Sequence, residues 1–405
     1  MEPIVIIGGG HAAAQLCGAL AEGGHRGPVL LVSDEAHPPY HRPPLSKGLI
    51  KDAEAGPAEL RGAAFYRDAG VQILLGTRAL AIDRAARKVQ LRDAAGGDRV
   101  LDYGQLVLAT GARPRRLPTV AEGTAGVHLL RSFTDAQGLR RALAGAGHAL
   151  VIGGGFIGLE VAASARALGK TVTVIEAAPR LLARAVSPVI SAHLLASHRG
   201  NGVDVRLGRA PETILLDGGR FAGVQLGDER IAADLLLVGI GAHPDIALAE
   251  AAGLECANGI VVDQWLTTSD PLISAIGDCT AFPYGSAGAR LRLESVQNAH
   301  DQARTLALRL LGKPEPYAPV PWFWSEQGDQ RLQIAGLWHD ATEPVTRAGA
   351  KAGSFSVLHY DGERLIAVES INAPVDHMTA RKWLAGAHSP ARAAVADPGV
   401  PLKSL

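Results

Sequence analysis

Ile4-Val-Ile-Ile-Gly-Gly-Gly-His-Ala-Ala13 and Leu150-Val-Ile-Gly-Gly-Gly-Phe-Ile-Gly158 decide the fold. They are two copies of one pattern, and Gly8 of the first is answered by Gly153, 145 positions on. Each copy is a short apolar run, a cluster of glycines, an Ala-rich segment and a second apolar run, Val29–Val32 in the first and Thr171–Ile175 in the second. The runs are too short for helices and the Ala-rich segments suit them, so each copy reads as strand, tight turn, helix, strand. A period this long is a duplicated nucleotide-binding domain and not a solenoid, whose repeats run to about 20–50 residues.

The glycines have separate duties. In Gly8-x-Gly10-x-x-Ala13, Gly8 permits the turn and Gly10 lets a diphosphate approach the backbone. The small Ala13 lets the helix lie close to its strand. A helix N-terminus there offers unsatisfied N–H groups to the phosphates. After the second strand, Ser33 holds the first position, so the ribose acceptor is expected to be Asp34, with Glu35 as the less secure choice. Gly153-x-Gly155-x-x-Gly158 is the full fingerprint, and its acid is Glu176 at the end of the next strand. A carboxylate there favours a free ribose hydroxyl and repels a phosphate, which points to NADH. Arg180 and Arg184 are the counterweight, because arginine can hold the phosphate of NADPH. FAD in the first site and NADH in the second is the natural division.

Outward from these turns, Ala109-Thr-Gly-Ala-Arg-Pro114 and Gly239-Ile-Gly-Ala-His-Pro244 are small-residue exits where a chain leaves one domain for another. Thr110, Gly111 and Gly241 in them are cofactor-site candidates. The expected fold is α/β, with two Rossmann-like nucleotide-binding domains of the glutathione-reductase-like kind and a C-terminal α+β domain with an antiparallel sheet. The expected boundaries are 1–112 with 245–318 for FAD, 113–244 for NADH and 319–405 for the last domain. In that last domain Leu332–Leu337, Phe355–Tyr360 and Leu365–Ile371 read as strands, Thr379–Ala385 as a helix, and the tail after Ser389 as loosely packed.

Composition narrows the chemistry. The 405 residues are 47% hydrophobic and 20% charged, a globular balance, and Lys+Arg equals Asp+Glu at 40 each. Zero net charge excludes a global field for nucleic acid and leaves a charged partner to a local patch. Cys17, Cys256 and Cys279 have no metal or cluster spacing, and the histidines have none either, so no metal is expected. Pro38-Pro-Tyr-His-Arg-Pro-Pro-Leu-Ser-Lys47 carries no cysteine, so dithiol chemistry is disfavoured and electrons must leave a flavin directly. No apolar run approaches the ~20 residues of a membrane span and no signal-peptide pattern opens the chain, so it is expected to be cytoplasmic.

Arg42-Pro-Pro-Leu-Ser-Lys47, Leu106-Val-Leu-Ala-Thr-Gly-Ala-Arg113, Phe156-Ile-Gly-Leu-Glu160, Thr268-Ser-Asp-Pro271 with Gly277-Asp278, Glu294-Ser-Val-Gln-Asn298 and Pro321-Trp-Phe-Trp-Ser325 together resemble the FAD-dependent NADH:ferredoxin reductases of bacterial oxygenase systems over nearly the whole chain. The resemblance implies hydride transfer from NADH to FAD, then single electrons to an acidic 2Fe-2S ferredoxin in a transient complex. That ferredoxin would serve a monooxygenase or a Rieske-type dioxygenase. It implies Lys47 beside the flavin, Glu160 pairing with Lys47 and meeting the nicotinamide, and Trp324 near the ring. It implies FAD contacts at Ala12, Arg42, Ala79, Arg131, Asp278 and Val296, and an NADH contact at Ile157. Trp322 and Trp324 are expected on opposite faces of a strand, with Trp322 in the core. Arg290, Arg292, Arg304, Arg309 and Arg381-Lys382 are docking candidates, and a monomer or weak dimer is expected. Two alternatives stay open: a rubredoxin or quinone reductase or NADH oxidase on the same fold, and an FAD-bound interaction protein of the apoptosis-inducing-factor kind.

Overall fold

The computed structural model describes residues 2–285, 288–340 and 342–405. The chain divides into two compact units, residues 1–41, 57–113 and 242–319 in the first and 42–56, 114–241 and 320–405 in the second.

The first unit is built on a five-stranded parallel sheet. Its order is Ile273–Ala275, Gln105–Leu108, Ile4–Ile7, Val29–Val32, Val71–Leu74. Ile4 pairs with Val29 on one side and Gln105 on the other, which centres the first glycine turn at the carboxyl edge of the sheet. Ile4–Ile7 is apolar at every position and buried throughout, as a strand covered on both faces must be. Helices His11–Glu22 and Val296–Leu310 pack against each other. Beside this sheet runs an antiparallel meander of Thr77–Asp83, Lys88–Asp93 and Asp98–Asp102.

The second unit repeats the theme with the order Val203–Leu207, Thr171–Glu176, His148–Ile152, Leu235–Val238, Val127–His128, all parallel. Residues 42–56 belong to this unit, where Arg140 donates to the carbonyls of Leu49, Asp52 and Ala55. The unit also holds a five-stranded antiparallel sheet, ordered Trp322–Gln327, Gln330–Gly336, Arg364–Ile371, Phe355–Asp361, Glu343–Ala348. Helix Pro374–Ala385 lies on it, with Ala380 and Trp383 in the core beside Leu358 and Val368.

The tail corrects the expectation of loose packing. Arg347 is buried and donates to the carbonyls of Val395, Asp397, Pro398 and Val400. Five donors in one planar fork can tie down an irregular segment that its composition alone would leave loose. Val395 and Leu402 sit in the core as a result.

Candidate functional site

Both glycine turns are shaped by a steric demand and then left open. Gly8 has φ +117° and a Cβ there would lie 2.1 Å from the Ala109 carbonyl oxygen. Gly153 has φ +111° and would meet the Gly239 carbonyl oxygen at 2.3 Å. A Cβ on Gly10 would meet nothing within 4 Å, and one on Gly155 only the Gly239 oxygen at 3.9 Å. Gly10 and Gly155 are the N-caps of helices His11–Glu22 and Phe156–Ala167, and neither helix has a side-chain cap or an acid in its first turn. Helices Phe133–Gly145, Pro188–Gly200 and Val296–Leu310, by contrast, are capped by Ser132, Ser187 and Ser295. An uncapped N-terminus with room over its second glycine fits a diphosphate in each turn.

Lys47 and Glu160 meet in the second unit. Lys47 Nζ lies 2.8 Å from Glu160 Oε2, and Glu160 keeps only 4% of its surface exposed. Lys47 follows the short 3-10 helix Pro43–Ser46 and donates back to the Pro43 carbonyl. Ser46 donates to Glu160 Oε2 and Ser325 donates to Oε1 at 2.7 Å. Ser164 donates to the Ser46 carbonyl from one turn further along the Glu160 helix. A buried carboxylate is tolerated when ion pairing and hydrogen bonds replace water, and both are present here. Ser164, Ser325 and the residues behind it, Gln327 and His198, carried no functional reading from sequence. Period-2 alternation from Phe323 puts Ser325 and Gln327 on one strand face, and that was the available signal.

The same alternation corrects the two tryptophans. Trp322 and Trp324 are two residues apart on one strand and so share a face; their rings stack with centroids 5.6 Å apart and planes 29° apart. Phe323 lies on the opposite face, against Phe156 at 4.5 Å. Trp322 also carries Arg381 over its ring at 4.2 Å and packs against the C-terminal core.

The remaining predicted residues are placed as follows. Glu176 accepts from Gly154 N at 2.6 Å and Ala178 N at 2.7 Å, so it ties the glycine turn to its own strand end. Asp34 is exposed beside Arg78 at 3.3 Å, and Glu35 accepts from Tyr40 at 2.5 Å. Ala12 and Ala13 are buried, and Ala12 lies beneath Gly277, next to half-buried Asp278. Thr110 donates to the Asp245 carbonyl, whose own N–H reaches Gly111. Ala79 is half-buried in the meander and Val296 half-buried at the start of its helix. In the second unit Arg42 donates to the Arg131 carbonyl at 2.7 Å. Gly158 could not bear a Cβ, which would meet the Gly153 oxygen at 2.2 Å. Ile157 is 44% exposed, and Gly241 has φ +102° and accepts from Arg115 N.

The three thiols are held toward their protonated form. Burial pushes Cys17 up to about 12 and Cys256 up to about 11, and raises the wholly buried Cys279 as well. Among the docking candidates, Arg309 is held internally by Thr267 and Ser274, Arg290 by the Val262 carbonyl, and Arg292 by Glu294. Arg304 and Lys382 are exposed, and Val375 and Met378 on the Lys382 helix are 67% and 51% exposed. Among the described residues no helix is long and apolar enough to cross a membrane.

Comparison with known proteins agrees with this architecture. Residues 2–303 match the pyridine nucleotide-disulphide oxidoreductase family and residues 322–405 the reductase C-terminal family. Rhodocoxin reductase of Rhodococcus erythropolis is 46% identical, over 94% of this chain and 89% of its own. The ferredoxin reductase for the CYP199A2 system from Rhodopseudomonas palustris superposes with a TM-score of 0.95 at 42% identity, covering 100% of this chain and 99% of its own. The reductase in a covalent putidaredoxin reductase–putidaredoxin complex superposes at 0.93 with 37% identity, over 100% of this chain and 97% of its own. With two uncapped glycine turns and matches of this extent, the chain belongs to the pyridine nucleotide-disulphide oxidoreductase family, among its ferredoxin reductases.

Proposed function

We propose that this protein is an NADH:ferredoxin oxidoreductase with FAD at the first glycine turn and NADH at the second. The buried Lys47–Glu160 pair carries the reading, because it is a fixed charge pair with both carboxylate oxygens hydrogen-bonded. FAD held at the first turn would supply hydride uptake from the nicotinamide and single-electron release to a 2Fe-2S ferredoxin serving a monooxygenase or Rieske-type dioxygenase.

Gly10, Ala12 and the first helix N-terminus hold one diphosphate, with Asp34 or Glu35 at its ribose; Gly155, Ile157 and the second helix N-terminus hold the other. Thr110, Gly111, Asp278, Val296, Ala79, Arg42 and Arg131 line FAD, and Gly241 borders NADH. Lys47 would hold its ammonium beside the flavin, and Glu160 fixes Lys47 and would orient the nicotinamide. Trp324 stands near the ring. The preference for NADH rests on Glu176, and it is supported by Arg180, whose guanidinium is engaged by the carbonyls of Ala183 and Val186. Arg381 and Lys382, flanked by exposed Val375 and Met378, offer a basic and apolar face to an acidic ferredoxin in a transient complex. The protein acts in the cytoplasm as a monomer or weak dimer.

Stopped-flow reduction of the holoenzyme by NADH tests the core of this. Lys47→Ala should slow flavin reduction at least about tenfold. Cytochrome c reduction by the wild type should depend on an added 2Fe-2S ferredoxin. An unchanged Lys47→Ala rate removes the role given to Lys47, and turnover indifferent to ferredoxin removes the acceptor.

A further inference from the structure

Behind Glu160 lies a row of buried polar groups that the reaction as described does not use. Ser325 accepts from Gln327 Nε2 at 3.2 Å, and Gln327 Oε1 lies 2.9 Å from His198 Nε2. Ser325, Gln327 and His198 are all buried, at 0%, 3% and 4% exposure. All three belong to the same unit as Lys47 and Glu160.

The row has a direction that follows from the proton inventory. A carboxylate has no proton to give, and an amide NH2 only donates. Ser325 receives from Gln327, so its one hydroxyl proton goes to Glu160. With the amide nitrogen facing Ser325, Gln327 presents its oxygen to His198, which must carry its proton on Nε2. Burial pushes the His198 imidazole below its ordinary range against the pull of the Gln327 hydrogen bond, which favours a neutral ring, and the Gln327 oxygen selects the Nε2–H tautomer of it. Turning the amide over would set two acceptors, Glu160 Oε1 and Gln327 Oε1, against the single Ser325 proton and leave one of them facing lone pairs.

We propose that His198, Gln327 and Ser325 form a one-way chain of hydrogen bonds that orients the Glu160 carboxylate toward Lys47. They are positioning residues for hydride transfer. The chain runs from helix Pro188–Gly200, through the first strand of the C-terminal sheet, to helix Phe156–Ala167. The C-terminal domain thereby takes part in the NADH half-reaction as well as in any contact with a partner. This inference rests on the reading of Glu160 as the residue that meets the nicotinamide.

Two measurements on the FAD-loaded protein test it. Nitrogen-15 NMR of labelled histidine, with His198 assigned by loss of its signal in His198→Asn, should report a neutral Nε2–H ring. In Gln327→Leu that tautomer preference should weaken. A wild-type His198 in the Nδ1–H form overturns the chain. In stopped-flow, Ser325→Ala and Gln327→Leu should lower the limiting rate of flavin reduction about tenfold, with NADH affinity and FAD content within twofold of wild type. Ser325→Thr, which keeps the hydroxyl, should recover most of the rate and carries the test if Ser325→Ala misfolds. Wild-type limiting rates in both Ser325→Ala and Gln327→Leu overturn the proposal. Glu160→Gln separates the two failures: a wild-type rate there breaks the Glu160 reading itself, whereas a slow Glu160→Gln beside normal chain variants breaks only the chain.

Discussion

The two glycine turns are near-copies in backbone and differ in what surrounds them. Gly8 and Gly153 adopt the same left-handed φ and press on a carbonyl of the neighbouring strand. Beyond that the resemblance ends. Where the second copy has Glu160, the first has Gln15; where the second has Phe156, the first has His11. The acid after the second copy's second strand, Glu176, is bound to its own turn, while Asp34 of the first is exposed beside an arginine. His11 sits among rings of its own kind, 5.7 Å from His41 and 5.9 Å from His300, whereas Phe156 meets Phe323. Duplication supplied one scaffold twice, and the departures from it carry the division of labour: the charge pair and the tied turn belong to the second copy.

The shared backbone predicts the largest effects. Gly8→Ala must force a side chain onto the Ala109 carbonyl at a φ that L-residues avoid, a cost of more than about 3 kcal/mol. It should abolish FAD retention and lower the melting temperature. The third position then breaks the symmetry. Gly158→Ala should cost the second unit a comparable amount, because its Cβ has nowhere to go. The matching Ala13→Gly should cost only about 0.5–1 kcal/mol, the usual helix penalty of glycine. Equal melting shifts for Gly158→Ala and Ala13→Gly would mean that the two helices do not approach their strands differently.

Next in size are the acids. Glu176→Ala strips the acceptor from Gly154 N and Ala178 N, and charge-assisted bonds of this kind contribute about 1.5–3 kcal/mol each. NADH affinity should fall at least about tenfold and the preference over NADPH should narrow. Asp34→Ala removes one exposed ion pair, so the stability of the first unit should change by less than about 1 kcal/mol. Isothermal binding and thermal melts of the two variants decide between a tied turn and a bare ribose acceptor.

The glycine spacing made both turns and their strands legible, because those steps are local: a turn that demands glycine, a buried strand that demands unbroken apolar residues. Lys47 and Glu160 were legible only through the resemblance, since nothing along the chain says that residues 113 positions apart will touch. Ser325, Gln327 and His198 were silent for a related reason. A buried serine or glutamine has no composition signal, and its meaning appears only when three elements converge. The tryptophans teach a different lesson. The period-2 rule already puts residues two apart on one strand face, so their stacking follows from the local pattern once that rule is applied. The tail escaped because its anchor, Arg347, lies on a distant strand.

The smallest effect separates the histidine-lined turn from the phenylalanine-lined one. Burial, then Arg304, His41 and Arg61, hold His300 below the ordinary histidine range against the opposing pull of Asp301. A histidine depressed in the folded state is neutral there, while the unfolded chain takes up its proton near pH 6.5. Unfolding therefore binds protons, and the first unit loses stability as the pH falls below about 6.5. The ring pair Phe156–Phe323 has no such term. His300→Phe should flatten the acid side of the first unit's melting curve, followed through tryptophan-independent probes such as FAD release. The second unit has depressed histidines of its own, His128, His198 and His377, and they should leave an acid-side slope in that unit's stability that His300→Phe does not touch. If both slopes vanish together in His300→Phe, the two turns share one titration and their separation by ring chemistry is wrong.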